Sequence, residues 1–192
     1  KDLRREVVFS SEVDAAACNL LAAGEHGLLV MGNRGKGGIA LFGSNTLRAI
    51  RHSVLPVLAV PRTAQLRVPK SILFADDRGR MASKDLEPLL QLARKVNAEV
   101  IIGHVDPSSS ASNEHKADRS PSEAFAGVPH RMHIVSGEIV PGLRALAEED
   151  KADMLCLLHR HRSLVDQLFH HSISKDVARS VHLPLLVLEE QR

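Results

Sequence analysis

An internal repeat constrains the fold of this chain more than any other feature of its 192 residues. The apolar run at 28–31 recurs at 154–157, and the segment 55–60, which begins with Leu-Pro, recurs at 183–188. A proline stands 13 positions after Gly43 (56 − 43) and another stands 13 positions after His171 (184 − 171). A repeat of this kind is typical of a chain that contains two copies of one supersecondary unit. The sequence therefore predicts a duplicated unit.

Each copy alternates apolar runs that suit strands with amphipathic helices. The run at 28–31 has no polar alternation, which is typical of a parallel strand covered on both faces. Apolar residues recur on one face of a predicted helix at 83–97, with Ser83 as its candidate N-cap. We also predict strands at 3–9, 56–61, 71–75 and 100–105, helices at 11–24 and 45–51, and a loop or poorly ordered helix at 107–129. The prolines around 56–61 favour a sheet edge or a domain boundary. The alternation predicts an α/β fold with a parallel sheet.

Composition excludes several classes of partner. Lys and Arg total 25 against 23 Asp and Glu, so the net charge of +2 is too balanced for a polybasic surface that binds nucleic acid or membranes. The chain has no Trp or Tyr, which argues against folds that stack nucleic-acid bases. No apolar run reaches the roughly 18–20 residues of a membrane-spanning helix. Two cysteines, Cys18 and Cys156, form no disulfide framework, so we expect a cytoplasmic protein.

A glycine-rich segment comes after the predicted strand at 28–31 and ends where a helix begins. Ligands of open α/β sheets bind at the carboxyl ends of the strands. Glycines let backbone N–H groups approach an anion closely, and a helix N-terminus favours phosphate. The segment predicts a site for a nucleotide phosphate tail, although a glycine-rich turn that serves only packing is an open alternative. The candidate ligand-binding residues here are Gly32, Asn33, Gly35, Lys36, Gly43, Ser44 and Asn45.

The glycine-rich segment, together with the residues after it up to position 61, resembles the universal stress protein family. The family's ATP-binding signature is G-x2-G-x9-G-[ST], with a helix and a Pro-Val-Leu-Val-Val-like strand after it. Gly32 and Gly35 match it, as do Gly43-Ser44 and the tail at 50–61, but only seven residues separate Gly35 from Gly43. The resemblance implies a doubly wound, five-stranded parallel sheet of strand order 3-2-1-4-5, Rossmann-like and similar to the adenine nucleotide alpha-hydrolases. It also implies binding of ATP, with Mg²⁺, in a stress response.

Residues 70–190 resemble the second half of tandem universal stress proteins. Asp77 falls where ATP-binding members carry an adenosine-contacting aspartate, so it joins the candidate site residues. The three signature glycines are replaced by Leu158, His161 and His171, which predicts a degenerate second copy. The resemblance implies that residues 1–62 are the C-terminal part of a first domain, 63–70 a linker and 71–190 the second domain. It also implies that the copies pair antiparallel through the strands at 56–60 and 184–188, with a homodimer as a further possibility, and that an upstream strand–helix–strand–helix segment completes the first domain.

Other residues leave alternatives open. The histidines invite a metal site, but neighbouring arginines repel a cation and favour a solvated basic loop, which as an exposed cationic patch could equally hold a phosphate or another acidic partner. These histidines are His159, His161, His170 and His171, with His130 and His133. Asp76 and Asp77 fit acid–base or Mg²⁺ chemistry and fit a turn equally well. Cys156 is most simply a buried apolar residue, and we find no catalytic constellation. The leading function is an ATP-binding module, the alternative is a scaffold built from paired copies, and the third is an enzyme acting on a nucleotide-like substrate.

Overall fold

A computed structural model describes residues 27–32, 44–53, 55–65, 67–79, 82–107, 121–159 and 183–190. The strand predicted at 3–9 and the helix predicted at 11–24 lie outside these ranges. In chain order the elements are β1 (Leu29–Gly32), α1 (Ser44–His52), β2 (Val57–Val60), β3 (Ser71–Ala75), α2 (Ser83–Val96), β4 (Glu99–Asp106), a 3₁₀ helix (Pro121–Phe125), β5 (His130–Ser136), α3 (Ile139–Glu149), β6 (Met154–His159) and β7 (Leu185–Glu189).

The strands of the described ranges form one sheet in the order β1-β2-β7-β6-β3-β4-β5. Every neighbouring pair is parallel except β2 and β7, which run antiparallel. The strands β3 to β7 take the order β5-β4-β3-β6-β7, which is 3-2-1-4-5 when they are counted along the chain. The prediction of a doubly wound α/β sheet is therefore confirmed.

Two apolar clusters, one on each face of the sheet, hold the helices in place. In β3, Ile72 and Phe74 lie in the cluster beneath α2, whereas Leu73 and Ala75 lie in the cluster beneath α3. This alternation results from the period of two residues in a strand, and it requires an apolar run because both faces are covered. Each fully buried Leu, Ile or Phe side chain contributes about 1.5–3 kcal/mol relative to an exposed one.

The start of α2 corrects the prediction that Ser83 caps this helix. The capping position belongs to Ala82, whose backbone N–H donates to Asp85 Oδ2 at 3.2 Å and whose carbonyl accepts from the Asp85 N–H at 2.9 Å. The cap therefore depends on the acidic residue in the first helical turn, because an alanine side chain accepts no hydrogen bond. At the other end Asn97 adopts the left-handed conformation with φ 55°, and the Ala98 N–H reaches the Ala93 carbonyl at 2.9 Å.

The prolines around 56–61 favoured a sheet edge or a domain boundary, and of these two alternatives the sheet edge was wrong. β2 lies between β1 and β7, and both prolines fall just outside its bounds. Pro56 accepts a hydrogen bond from the Leu29 N–H at 2.9 Å through its carbonyl, a role that needs no N–H of its own.

The segment 107–129 is more ordered near its end than its sequence suggests. Its last residues form the 3₁₀ helix, and Phe125 is buried with its ring centroid 5.5 Å from that of Phe74. A single aromatic residue in a Ser- and Ala-rich segment produces no periodicity, so the pattern could not reveal this contact. Residues 108–120 lie outside the described ranges.

The predicted linker at 63–70 is held by one carboxylate. Asp153 Oδ2 accepts hydrogen bonds from the backbone N–H groups of Lys70 at 2.8 Å and Ser71 at 3.2 Å. The same carboxylate forms an ion pair with Arg67. These contacts fix the approach to β3 against the start of β6.

The helices of the described ranges give no sign of a membrane span. None of them combines the length and the apolar character that crossing a bilayer requires.

Candidate functional site

The antiparallel pairing of β2 with β7 gives the sheet two ends of different chemistry. β1 and β2 finish at one end, which we name the glycine end, and β3 to β7 finish at the other, which we name the aspartate end. At the glycine end Gly32 lies opposite Val60, close to the start of β7. Because ligands bind at the carboxyl ends of parallel strands, each end is a separate candidate site.

Gly32 is the last residue of β1, and it is exposed. A Cβ atom added to Gly32 would meet no atom within 4 Å among the described residues. The described fold therefore has no steric need for glycine at this position.

The helix α1 returns from the glycine end to the start of β2. Its last turn continues into Ser53, whose N–H donates to the Ala49 carbonyl at 2.8 Å and whose Oγ accepts from the Leu55 N–H at 3.1 Å. The nine residues of α1 span about 13 Å, which is close to the length of β1. The first residues of α1, Ser44 and Asn45, therefore lie toward the end of the sheet at which Gly32 stands.

The described part of the chain thus brings Gly32, Ser44 and Asn45 to one end of the sheet. The Asn45 side chain is exposed, and Thr46 behind it is buried. The other candidates of this loop, Asn33, Gly35, Lys36 and Gly43, lie outside the described residues, and so does the loop path that joins them.

Asp77 lies at the aspartate end, immediately after β3. Its Oδ1 accepts the Gly79 N–H at 2.9 Å, and Asp76 Oδ1 accepts the Arg78 N–H at 2.9 Å. Arg78 has a φ of 57°, so the chain turns sharply here, and its Nε lies 3.4 Å from Asp76 Oδ2. These contacts match the turn-forming alternative for both aspartates.

The structure does not bring Asp77 and Gly32 together. They lie at opposite ends of the sheet, and β1 and β3 are separated by four strand spacings, which amounts to about 19 Å. A role for Asp77 in contacting adenosine would therefore concern a second pocket.

Two histidines at the aspartate end have contacts that the sequence did not indicate. His104 Nδ1 lies 2.8 Å from the Asp76 carbonyl oxygen, and because a carbonyl only accepts, this nitrogen carries the proton. His159 Nδ1 lies 2.6 Å from Glu189 Oε1, where β6 and β7 finish side by side. The signal in the sequence that could have indicated these contacts is a polar residue at or near the end of an apolar strand. Asp76 lies beside Arg78, and Glu189 lies beside His159, so both of these carboxylates have a basic neighbour.

The metal hypothesis finds no support among the residues that the structure describes. Within those ranges no three His, Cys, Asp or Glu side chains lie close enough to hold an ion. His130 Nδ1 donates to the Val128 carbonyl at 2.8 Å, and His133 Nδ1 lies 2.8 Å from Asp150 Oδ2. His161, His170 and His171 lie outside the described ranges.

The surroundings of Cys156 make its thiol a poor nucleophile. It is fully buried in β6, and burial raises the pKa of its thiol well above the ordinary value. A nucleophilic thiol needs the opposite shift.

The fold and its two strand ends define a doubly wound α/β protein with candidate ligand sites at the carboxyl ends of its strands. A sequence profile of the universal stress protein family matches residues 2–61 and 121–189, which is more than half of the chain. The chain belongs to the universal stress protein family.

Solved structures show the same fold. A universal stress protein from Archaeoglobus fulgidus DSM 4304 is 22% identical, with a TM-score of 0.63 over 91% of this chain and 64% of its own. A functionally unknown protein from Pseudomonas aeruginosa PAO1 is 16% identical, with a TM-score of 0.66 over 94% of this chain and 69% of its own. The chain thus spans about two thirds of the length of either structure. A comparison with curated proteins gives no match.

Proposed function

We propose that this protein binds an adenine nucleotide, ATP in particular, at the glycine end of the sheet. The phosphate tail would lie against the backbone at Gly32, Gly35 and Gly43 and at the start of α1, with Mg²⁺ accompanying the triphosphate. Asn33, Lys36, Ser44 and Asn45 would supply further donors and positive charge. Membership of the universal stress protein family supports a nucleotide-binding role in a stress response.

The open space at Gly32 is the observation that carries this proposal. Glycine in a strand costs conformational entropy and contributes no side-chain packing, and it often marks a place where a ligand or another backbone approaches closely. No described protein atom lies within 4 Å of a Cβ at this position. A phosphate group that approaches the main chain would give the glycine a function.

The start of α1 supports the same location. The N–H groups in the first turn of a helix have no partner within the helix, and together with the positive end of the helix dipole they favour an anion. The described chain brings this helix end and Gly32 to one end of the sheet, which is the arrangement that a phosphate tail requires.

We further propose that residues 1–62 and 71–190 are two copies of one domain joined by 63–70. The order of β3 to β7 and the antiparallel contact between β2 and β7 support this division. The second copy would be degenerate, because Leu158 occupies the position equivalent to Gly32 and is buried in the core. A cytoplasmic location and a homodimer stay predictions.

Isothermal titration of the full chain with ATP tests the nucleotide site. Gly32→Val places a β-branched side chain into the open space and suits a strand, so the variant should fold. We expect it to bind ATP at least about tenfold more weakly, which corresponds to one lost hydrogen bond to a charged group.

Gly27→Val is the matched control. Gly27 lies just before β1, is also exposed, and a Cβ there also meets no described atom within 4 Å. The Gly27→Val variant should bind ATP with the same affinity as the wild type. No heat with the wild-type protein, or equal affinity of Gly32→Val and the wild type, would refute the nucleotide site.

A scaffold that binds no nucleotide is the second candidate. The observation in its favour is the continuous seven-stranded sheet, in which the β2–β7 contact joins the two proposed copies without any ligand. This candidate predicts that ATP produces no heat and that Gly32→Val leaves partner binding unchanged.

A further inference from the structure

Arg62 lies just beyond the end of β2, in a turn that no motif of the sequence marks. The Ala64 N–H donates to the Pro61 carbonyl at 3.0 Å, which closes a turn with Arg62 and Thr63 as its central residues. Pro61 is buried, whereas Arg62 is exposed. The turn therefore presents Arg62 at the surface where β2 finishes.

The register of β1 and β2 places this turn beside the proposed phosphate site. Gly32 lies opposite Val60, and β1 and β2 run parallel. The segments that follow the two strands therefore both leave the sheet at the glycine end. Neighbouring strands are about 4.8 Å apart. That separation is within reach of an arginine side chain, which is long and flexible.

Among the arginines whose side chains the structure describes, Arg62 is distinguished by its lack of an acidic partner in the described residues. Five others form ion pairs with carboxylates, and Arg48 also has an interaction partner. The five are Arg67, Arg78, Arg94, Arg131 and Arg144. The Arg62 guanidinium is thus available for an anion that is not part of the described chain.

We propose that Arg62 binds the phosphate tail of the nucleotide and makes this site favour multiply phosphorylated ligands. The inference rests on the proposed function, because it assumes a phosphate tail at Gly32. A guanidinium presents a planar fork of donors that matches phosphate oxygens, and its charge interacts most strongly with a triphosphate. Adenosine, which carries no phosphate, would gain nothing from Arg62.

Titrations of ATP and adenosine into four proteins test this inference. The proteins are the wild type, Arg62→Gln, Arg62→Lys and the control Arg144→Gln, which removes an exposed arginine of α3 that pairs with Glu148 at 2.7 Å. We expect Arg62→Gln to weaken ATP binding about tenfold and to leave adenosine binding unchanged. Arg62→Lys keeps the charge without the fork and should bind ATP with intermediate affinity, and Arg144→Gln should match the wild type.

The outcomes separate this inference from the proposed function. If the wild type binds ATP and Arg62→Gln binds it equally well, the role of Arg62 is overturned and the nucleotide site stands. If Arg62→Gln weakens ATP and adenosine equally, the effect is not on the phosphates and the inference is also overturned. If the wild type binds no ATP, the proposed function fails and this inference fails with it.

Discussion

Alkaline pH should destabilise this protein through the buried thiol of Cys156. Cys156 lies in the middle of β6, in register with Phe74 of β3 and Leu186 of β7, and it is 0% exposed. Burial raises the pKa of the thiol above its ordinary value of 9.0, because the thiolate cannot be solvated there. Above pH 9 the unfolded chain loses this proton and the folded chain keeps it, so stability is full below pH 9 and falls as the pH rises.

As long as the thiol stays protonated in the folded chain, the loss of unfolding free energy at a given pH is set by the thiol pKa in the unfolded chain. At pH 10, one unit above 9.0, ionisation of the unfolded chain lowers the free energy of unfolding by about 1.4 kcal/mol. The chain contains no Tyr, so no phenol ionises in the same range.

Urea unfolding monitored by circular dichroism at pH 7 and pH 10 measures the effect. Cys156→Ala is the matched variant, since it retains every Lys and Arg and lacks only this thiol. The wild type should lose about 1.4 kcal/mol more than the variant between the two pH values. Equal losses would refute the reasoning, as would rapid alkylation of Cys156 in a folded Cys18→Ser protein at pH 8.

Three further predictions concern packing and the division between the two sheet ends. Asp153→Ala should lower the free energy of unfolding in urea by about 2–4 kcal/mol, because two backbone N–H groups lose a charged acceptor. Arg67→Gln, which removes an exposed partner of the same carboxylate, should lower it by less than about 1 kcal/mol. Equal losses for the two variants would contradict the role of the backbone hydrogen bonds. Gly142→Ala should destabilise the fold despite the gain of about 1 kcal/mol in helix propensity, because its Cβ would lie 2.7 and 2.8 Å from the two methyl groups of Val105. The double variant with Val105→Ala should remove that clash in a double-mutant cycle, and additive effects would show that the contact is not its source. Asp77→Ala should leave ATP binding at the glycine end unchanged in a titration, and a tenfold loss would place both ends in one site.

The strands β1 and β3 could be predicted because each contains an apolar run. The run at 71–75 matches β3, and the run at 28–31 differs from β1 by one residue at each end. Ser83 is a better capping residue than alanine by propensity alone, but the helix begins where Asp85 can reach back to the chain. The burial of Phe125 depends on a contact with Phe74, which lies far away in the sequence, and no local pattern encodes such a contact.

The candidate site could be predicted only in part. Gly32, Ser44 and Asn45 are adjacent to one strand–helix connection, so a local pattern suffices to group them. The separation of Asp77 from Gly32 depends on the direction of β2 relative to β7, which is set by pairing between distant segments. Arg62 carries no motif, and its relevance depends on the register of β1 and β2 and on the pairing of the other arginines.

Amide hydrogen exchange of the full chain, with and without saturating ATP, locates the nucleotide on one end of the sheet or the other. A nucleotide at the glycine end should slow exchange at Gly32 and Asn45 and leave the turn at 76–79 unchanged. Slower exchange confined to that turn, or no change at either end with ATP in excess, would contradict a nucleotide site at the glycine end.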